Sequence, residues 1–189
     1  MSFIRKIQNI KITIKTVGEK IYPFDPEDTL KFNPLHSPDD PSVVTLDIPG
    51  YKQLNTYACG FCCALMAVCY HFRGRSKKRL YKLVGTYKEG TSESSLVRGL
   101  RASNLRVGKL GKLTFYKLWK NIDSNKLMIV AVKGKRWPHY VLIYGYGIYP
   151  NRIFIADPVI FRRCEYKWVD FRRKMIPGDN VLVISKRRA

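Results

Sequence analysis

Acidic residues are scarce in this 189-residue chain: 14 Asp and Glu stand against 35 Lys and Arg, a formal net charge of +21. Such a field draws in anions of any kind, whether nucleic acid, anionic lipid or an acidic protein substrate. The cations are scattered from Arg5 to Arg188, with denser groups at 73–79, 133–136, 162–163, 172–174 and 186–188. A solvated basic face without a dedicated partner accounts for that spread equally well, so charge alone names no ligand. Long apolar runs are lacking too. The longest nearly uncharged stretch, residues 58–70, is too short to cross a bilayer. Residues 1–16 carry charges throughout and lack the apolar core of a secretory signal. Repeats and low-complexity tracts are missing as well. The expectation is a soluble, cytoplasmic protein that at most touches a membrane surface.

Cysteine is present, but not in a pattern that makes a disulfide framework. The count is odd, and four of the five (Cys59, Cys62, Cys63 and Cys69, with Cys164 apart) crowd into one segment. Free thiols in a reducing compartment fit better. Cys59 and Cys62 form a C-x2-C, yet the second ligand pair of a structural zinc site is missing. No metal and no cofactor are expected.

With 46% apolar residues, the chain can bury one real core. Residues 10–14 alternate apolar and polar as a half-buried strand does, and 43–48 offers a second short strand within a Pro- and Asp-rich lead-in. Residues 1–50 therefore read as an N-terminal extension wrapping the body, and 51–189 as the main domain. From 55 to 72 the pattern is helical, with Asn55 or Thr56 as cap. Shorter helices are expected at 80–84, 92–103 and 114–122. The second half turns to β-branched and aromatic runs at 127–132, 140–146, 152–156 and 181–185. Helices first and strands after predict an α+β domain, a helical half packed on an antiparallel sheet.

Chemistry concentrates in two places. Gln53 stands six residues before Cys59, which is followed by Gly60 at the start of the long helix. His139 opens one strand and Asp157 ends the next. A thiol attacks as thiolate, and a helix N-terminus with an adjacent imidazolium lowers its pKa. His139 suits the base that takes the thiol proton and later protonates a leaving amine. Asp157 can fix the imidazole's tautomer, and Gln53 can donate to an oxyanion beside the Cys59 N–H. Gly60 would let a substrate backbone come close, and Trp137 would line the cleft.

Gln53…Cys59-Gly60, Gly90-Thr91-Ser92, His139-Tyr-Val-Leu-Ile and Ala156-Asp157-Pro158 together resemble the papain-like cysteine peptidases. Within them they look most like the double-glycine, bacteriocin-processing branch in a stand-alone form without a transporter. The resemblance runs from about Lys52 to Ser185. It implies a papain-like fold with the nucleophile at the start of the central helix. It also implies a Cys59–His139–Asp157 triad with Gln53 in the oxyanion hole, a peptide or protein substrate, and a bacterial setting. The branch often has Asp before the Cys and Pro after the Gly, where this chain has Ala58 and Phe61.

Each residue also has a plainer account. Cys62, Cys63 and Cys69 suit core packing, and neither Cys62 nor Cys63 has the spacing from a Gln. Asp157 before Pro158 is an ordinary turn initiator, and Trp137-Pro138 an ordinary entry to a strand. Residues 144–149, rich in Tyr and Gly, fit a strand end and hairpin better than a platform for bases. The same triad serves deamidation, isopeptide cleavage or acyl transfer in an effector-like protein. A basic binding module with a vestigial triad is the reading from another class.

Overall fold

The computed structural model describes residues 29–30, 40–72, 76–87, 89–134, 137–160, 162–178 and 181–187. The first part of the chain holds β1 (Thr29–Leu30), β2 (Val43–Thr45), β3 (Gly50–Tyr51), α1 (Cys59–His71), α2 (Lys77–Val84) and α3 (Glu93–Ala102). Then come β4 (Leu105–Leu110), α4 (Phe115–Asp123), β5 (Leu127–Lys133), β6 (Pro138–Gly147) and β7 (Arg152–Asp157). The chain closes with β8 (Arg162–Lys167), α5 (Trp168–Lys174) and β9 (Val181–Lys186).

Helix α1 is apolar on every side and buried from Cys59 through Val68, so it can only sit in the middle of the molecule. It packs on α2, α3, β3 and the sheet strands β6 and β9. It starts four residues later than the sequence suggests. Asn55 spends its Oδ1 on the N–H of Tyr57 at 3.2 Å, closing a turn instead of capping the helix. The other caps are local. Ser92 accepts from Ser95 N–H, and Thr114 from Lys117 N–H, both at 3.2 Å.

The sheet runs β4-β9-β5-β6-β7-β8, and every pairing is antiparallel. β6 is its spine. β5 pairs with β6 over residues 138–143, and β2 takes over the same edge at 145–147. The handover coincides with a bulge between Ile143 and Gly145. A side chain at Gly145 would stand 2.7 Å from Thr45, so glycine lets β2 in. β1 and β3 form a separate two-stranded pair.

The result is the expected α+β, papain-like architecture, with five elements beyond the expectation, two of them the short strands β1 and β3. β4 lies between α3 and α4, while β8 and α5 lie between β7 and β9. β4 and β8 are the outer strands of the sheet. Their charged residues, such as Arg106, Lys109 and Glu165, break up the continuous apolar run that marks an inner strand. The run at 144–149 is strand and hairpin: Tyr144 and Tyr146 are buried in the core. The strand expected at 10–14 lies outside the described residues.

Candidate active site

Cys59 is the first residue of α1, and Ala58 before it provides no side-chain cap. The first turn carries no acidic residue, so the helix N–H groups and their partial positive charge are left to the thiol. β6 begins alongside. The thiol and the His139 imidazole hydrogen bond to each other, and the N–H groups of Tyr140 and Gly60 also point at the sulfur. His139 Nε2 is 2.7 Å from Asp157 Oδ1, which leaves Nδ1 as the nitrogen for Cys59. The antiparallel β6–β7 pairing, with Leu142 opposite Ala156, brings the two side chains together. The same carboxylate oxygen accepts the N–H of Val159 at 2.9 Å.

The electrostatics favour a separated pair of charges. Burial pushes the Cys59 thiol up, but the hydrogen bond to His139 and the two backbone donors outweigh it, and its pKa falls below the usual thiol value. Burial likewise opposes charge on His139. The bond to Asp157 and then the one to Cys59 overcome this and push its pKa up to about 9. For Asp157 burial works upward, and the imidazole bond wins, holding the carboxyl below its ordinary range. Cys62 and Cys63 share the helix with Cys59 but lie wholly buried, and burial drives both thiols far upward. They belong to the core.

Gln53 is buried. Its N–H donates to Pro158 O at 3.0 Å, and its Nε2 donates to Asn55 O at 2.6 Å. One amide hydrogen remains, and Oε1 has no partner among the described residues. A cavity of about 670 Å³ opens on Cys59, walled by Tyr57, Glu89, Thr91, Trp137 and Tyr140. Trp137, 79% exposed, stands at its rim. A Cβ at Gly60 would meet Thr91 Cβ at 2.8 Å and the Tyr140 ring at 3.2 Å. The glycine lets Thr91 and Tyr140 pack closely against the start of α1.

Sequence reasoning passed over Tyr140, Thr91 and Thr86. Thr91 lines the cavity, packs on Gly60 and hydrogen bonds to Thr86 at 2.8 Å. The Gly90-Thr91-Ser92 motif marked the place without revealing these contacts.

The sequence profile described as the Peptidase C39 family matches residues 47–174. The chain belongs to that family. It is a papain-like cysteine peptidase. Solved structures agree on the fold. The peptidase domain of Streptococcus ComA, a bi-functional ABC transporter of a quorum-sensing pathway, superposes with a TM-score of 0.59. That match has 20% identity and covers 73% of this chain and 98% of that one. A double-glycine motif protease from an AMS/PCAT transporter, in complex with its leader peptide, gives 0.58 at 14% identity over 74% and 92%. A C39-like peptidase from Bacillus anthracis gives 0.63 at 14% identity over 78% and 99%. No curated protein sequence matches. Among the described residues, no helix of the peptidase is long and apolar enough to cross a membrane.

Proposed function

We propose that this peptidase cleaves a peptide or protein through a thioester on Cys59, with His139 as acid and base, Asp157 as its orienting carboxylate and Gln53 in the oxyanion hole. The carrying observation is the imidazole of His139, held by Asp157 on one side and hydrogen bonded to Cys59 on the other. The Cys59 thiolate attacks the scissile carbonyl carbon, and the C=O π pair moves onto oxygen. Gln53 Nε2 and the Cys59 N–H donate to that oxyanion, one such donor supplying about 3 kcal/mol in the transition state. Collapse breaks the C–N bond, and the amine leaves with a proton from His139. Water, deprotonated by His139, then attacks the thioester, releasing the carboxylic product and restoring the thiol.

The cavity walls of Tyr57, Trp137 and Tyr140 suit an extended peptide, and the positive charge of the whole favours substrates that are acidic overall. Five free thiols support a reducing, cytoplasmic compartment. We keep residues 1–50 as an extension to the domain at 51–189. Iodoacetamide labelling mapped by mass spectrometry tests the core of this reading. Labelling falls on Cys59 at mildly acidic pH and is lost in His139→Ala. Slow labelling spread over several cysteines and indifferent to His139 would overturn it.

A further inference from the structure

A second cavity lies away from the chemistry. It encloses about 1150 Å³ at the far end of α1, where Tyr70 and His71 form part of its wall. Cys59 begins that helix, so the two sites are separated by its 13 residues, about 18 Å along the axis. Arg101, Arg106, Lys126, Lys186 and Arg187 all line this cavity, and among the described residues no carboxylate does. None of the five forms an ion pair among the described residues.

Strand register builds the cluster. Arg106 of β4 pairs with Ser185 of β9, and Leu127 of β5 pairs with Ile184. Lys126, one residue before β5, is therefore level with Ser185, so Arg106, Ser185 and Lys126 make one rung across three strands. Lys186 and Arg187 continue from it, and Arg101 approaches from the end of α3. Bringing five like charges to one concavity costs repulsion that no internal anion offsets. Residues 51–189 hold 29 of the 35 cations and only 7 of the 14 acidic residues, so the surrounding field reinforces the site.

We infer that this groove binds a single strand of nucleic acid through its phosphates. An acidic peptide would need apolar pockets for anchoring side chains. The aliphatic residues of this wall, Leu105 and Val107, are themselves buried in the core. The remainder of the wall is cationic or offers hydroxyl and amide groups from Ser124, Asn125 and Ser185. That chemistry reads phosphate and sugar, and the half-buried Tyr70 ring provides a face for a base. The cleft remains open while the groove is filled, so the strand tethers the peptidase without inhibiting it.

The test uses the full chain as Cys59→Ala, with a fluorescein-labelled 20-nucleotide single strand read by anisotropy over a salt series. Affinity falls with salt, with a log–log slope near −3.5 for five phosphate contacts. Arg106→Glu, Lys126→Glu and Arg187→Glu together reduce that slope by about 2 and weaken binding about 100-fold at 0.1 M salt. Lys82→Glu, Lys120→Glu and Arg172→Glu, the same charge change elsewhere, weaken it less than about 3-fold. Equal losses in both triples would overturn the site in favour of diffuse charge. Absence of strand binding at 0.1 M salt, or binding of a poly-glutamate peptide in its place, would overturn the ligand. Both triples are checked by circular dichroism. Should the groove triple not fold, Arg106→Gln on the outer strand must still lower the slope by about 0.7.

Discussion

The two ends of α1 present opposite solutions to burying charge. At its start a few ionisable groups are packed together, and each has a named partner: Cys59 with His139, and His139 with Asp157. At its finish five permanent cations share a groove with no anion among the lining residues. Paired and desolvated groups shift their pKa values and become reagents, whereas clustered like charges become an attractor. One helix of 13 residues thus separates the proposed site of proton transfer from the proposed site for an anion.

The sharpest way to break this contrast is Cys59→Ala. It should lower peptidase turnover by at least about 10³-fold, measured on a peptide substrate, while leaving nucleic-acid affinity unmoved. A drop in both would mean the two ends are not independent. Gln53→Ala comes next, with turnover down about 10²- to 10³-fold and Cys59 alkylation retained. Loss of alkylation as well would make Gln53 a structural residue.

Acidity separates the ends further. Cys59 must lose its proton and His139 must keep one, so turnover should rise through the lowered thiol pKa and fall again near pH 9. The pair titrates as a unit, and both limbs describe the coupled system. The raised His139 pKa also stabilises the fold fully below about pH 6.5, its unfolded value, and that contribution is lost as pH rises through about 9. The depressed Asp157 contributes above its unfolded value of 3.8 and loses that contribution as pH falls. Asp157→Asn should pull the alkaline limb below 9 and cost about 10²-fold in turnover, measured as a full pH–rate profile. Strand binding should stay level from pH 7 to 9, because neither Cys59 nor His139 lines the groove and its cations alone hold the strand. His71 beside them is held neutral chiefly by burial.

The smallest effect concerns packing. Gly60→Ala places a methyl against Thr91 and Tyr140, and should lower stability by about 1–3 kcal/mol, read as a fall in melting temperature. An unchanged melting temperature would show that Thr91 and Tyr140 give way to the methyl without cost.

Local rules were readable without coordinates. Thr114 announces its helix because a cap bonds only to residues two or three ahead, whereas Ser92 proved to be the cap of α3 and not its first residue. Inner strands such as β5 and β6 show themselves as apolar runs. The outer strands β4 and β8 did not, because their charged residues leave each only two or three apolar positions. The start of α1 was misplaced for a related reason: Asn55 has two uses for one side chain, and only the fold shows which it takes.

Residue types and their order along the chain already contained the Gln, Cys, His and Asp set, and with it the family and the class of chemistry. Folding decided which of them meet. Eighty residues separate Cys59 from His139, and their contact exists because α1 packs on β6. It also gathered scattered cations from α3, β4, the approach to β5 and the end of β9 into one groove. Caps and periodicities act over a few residues and are written locally, whereas clusters of charge depend on antiparallel register across the sheet, which no local pattern contains.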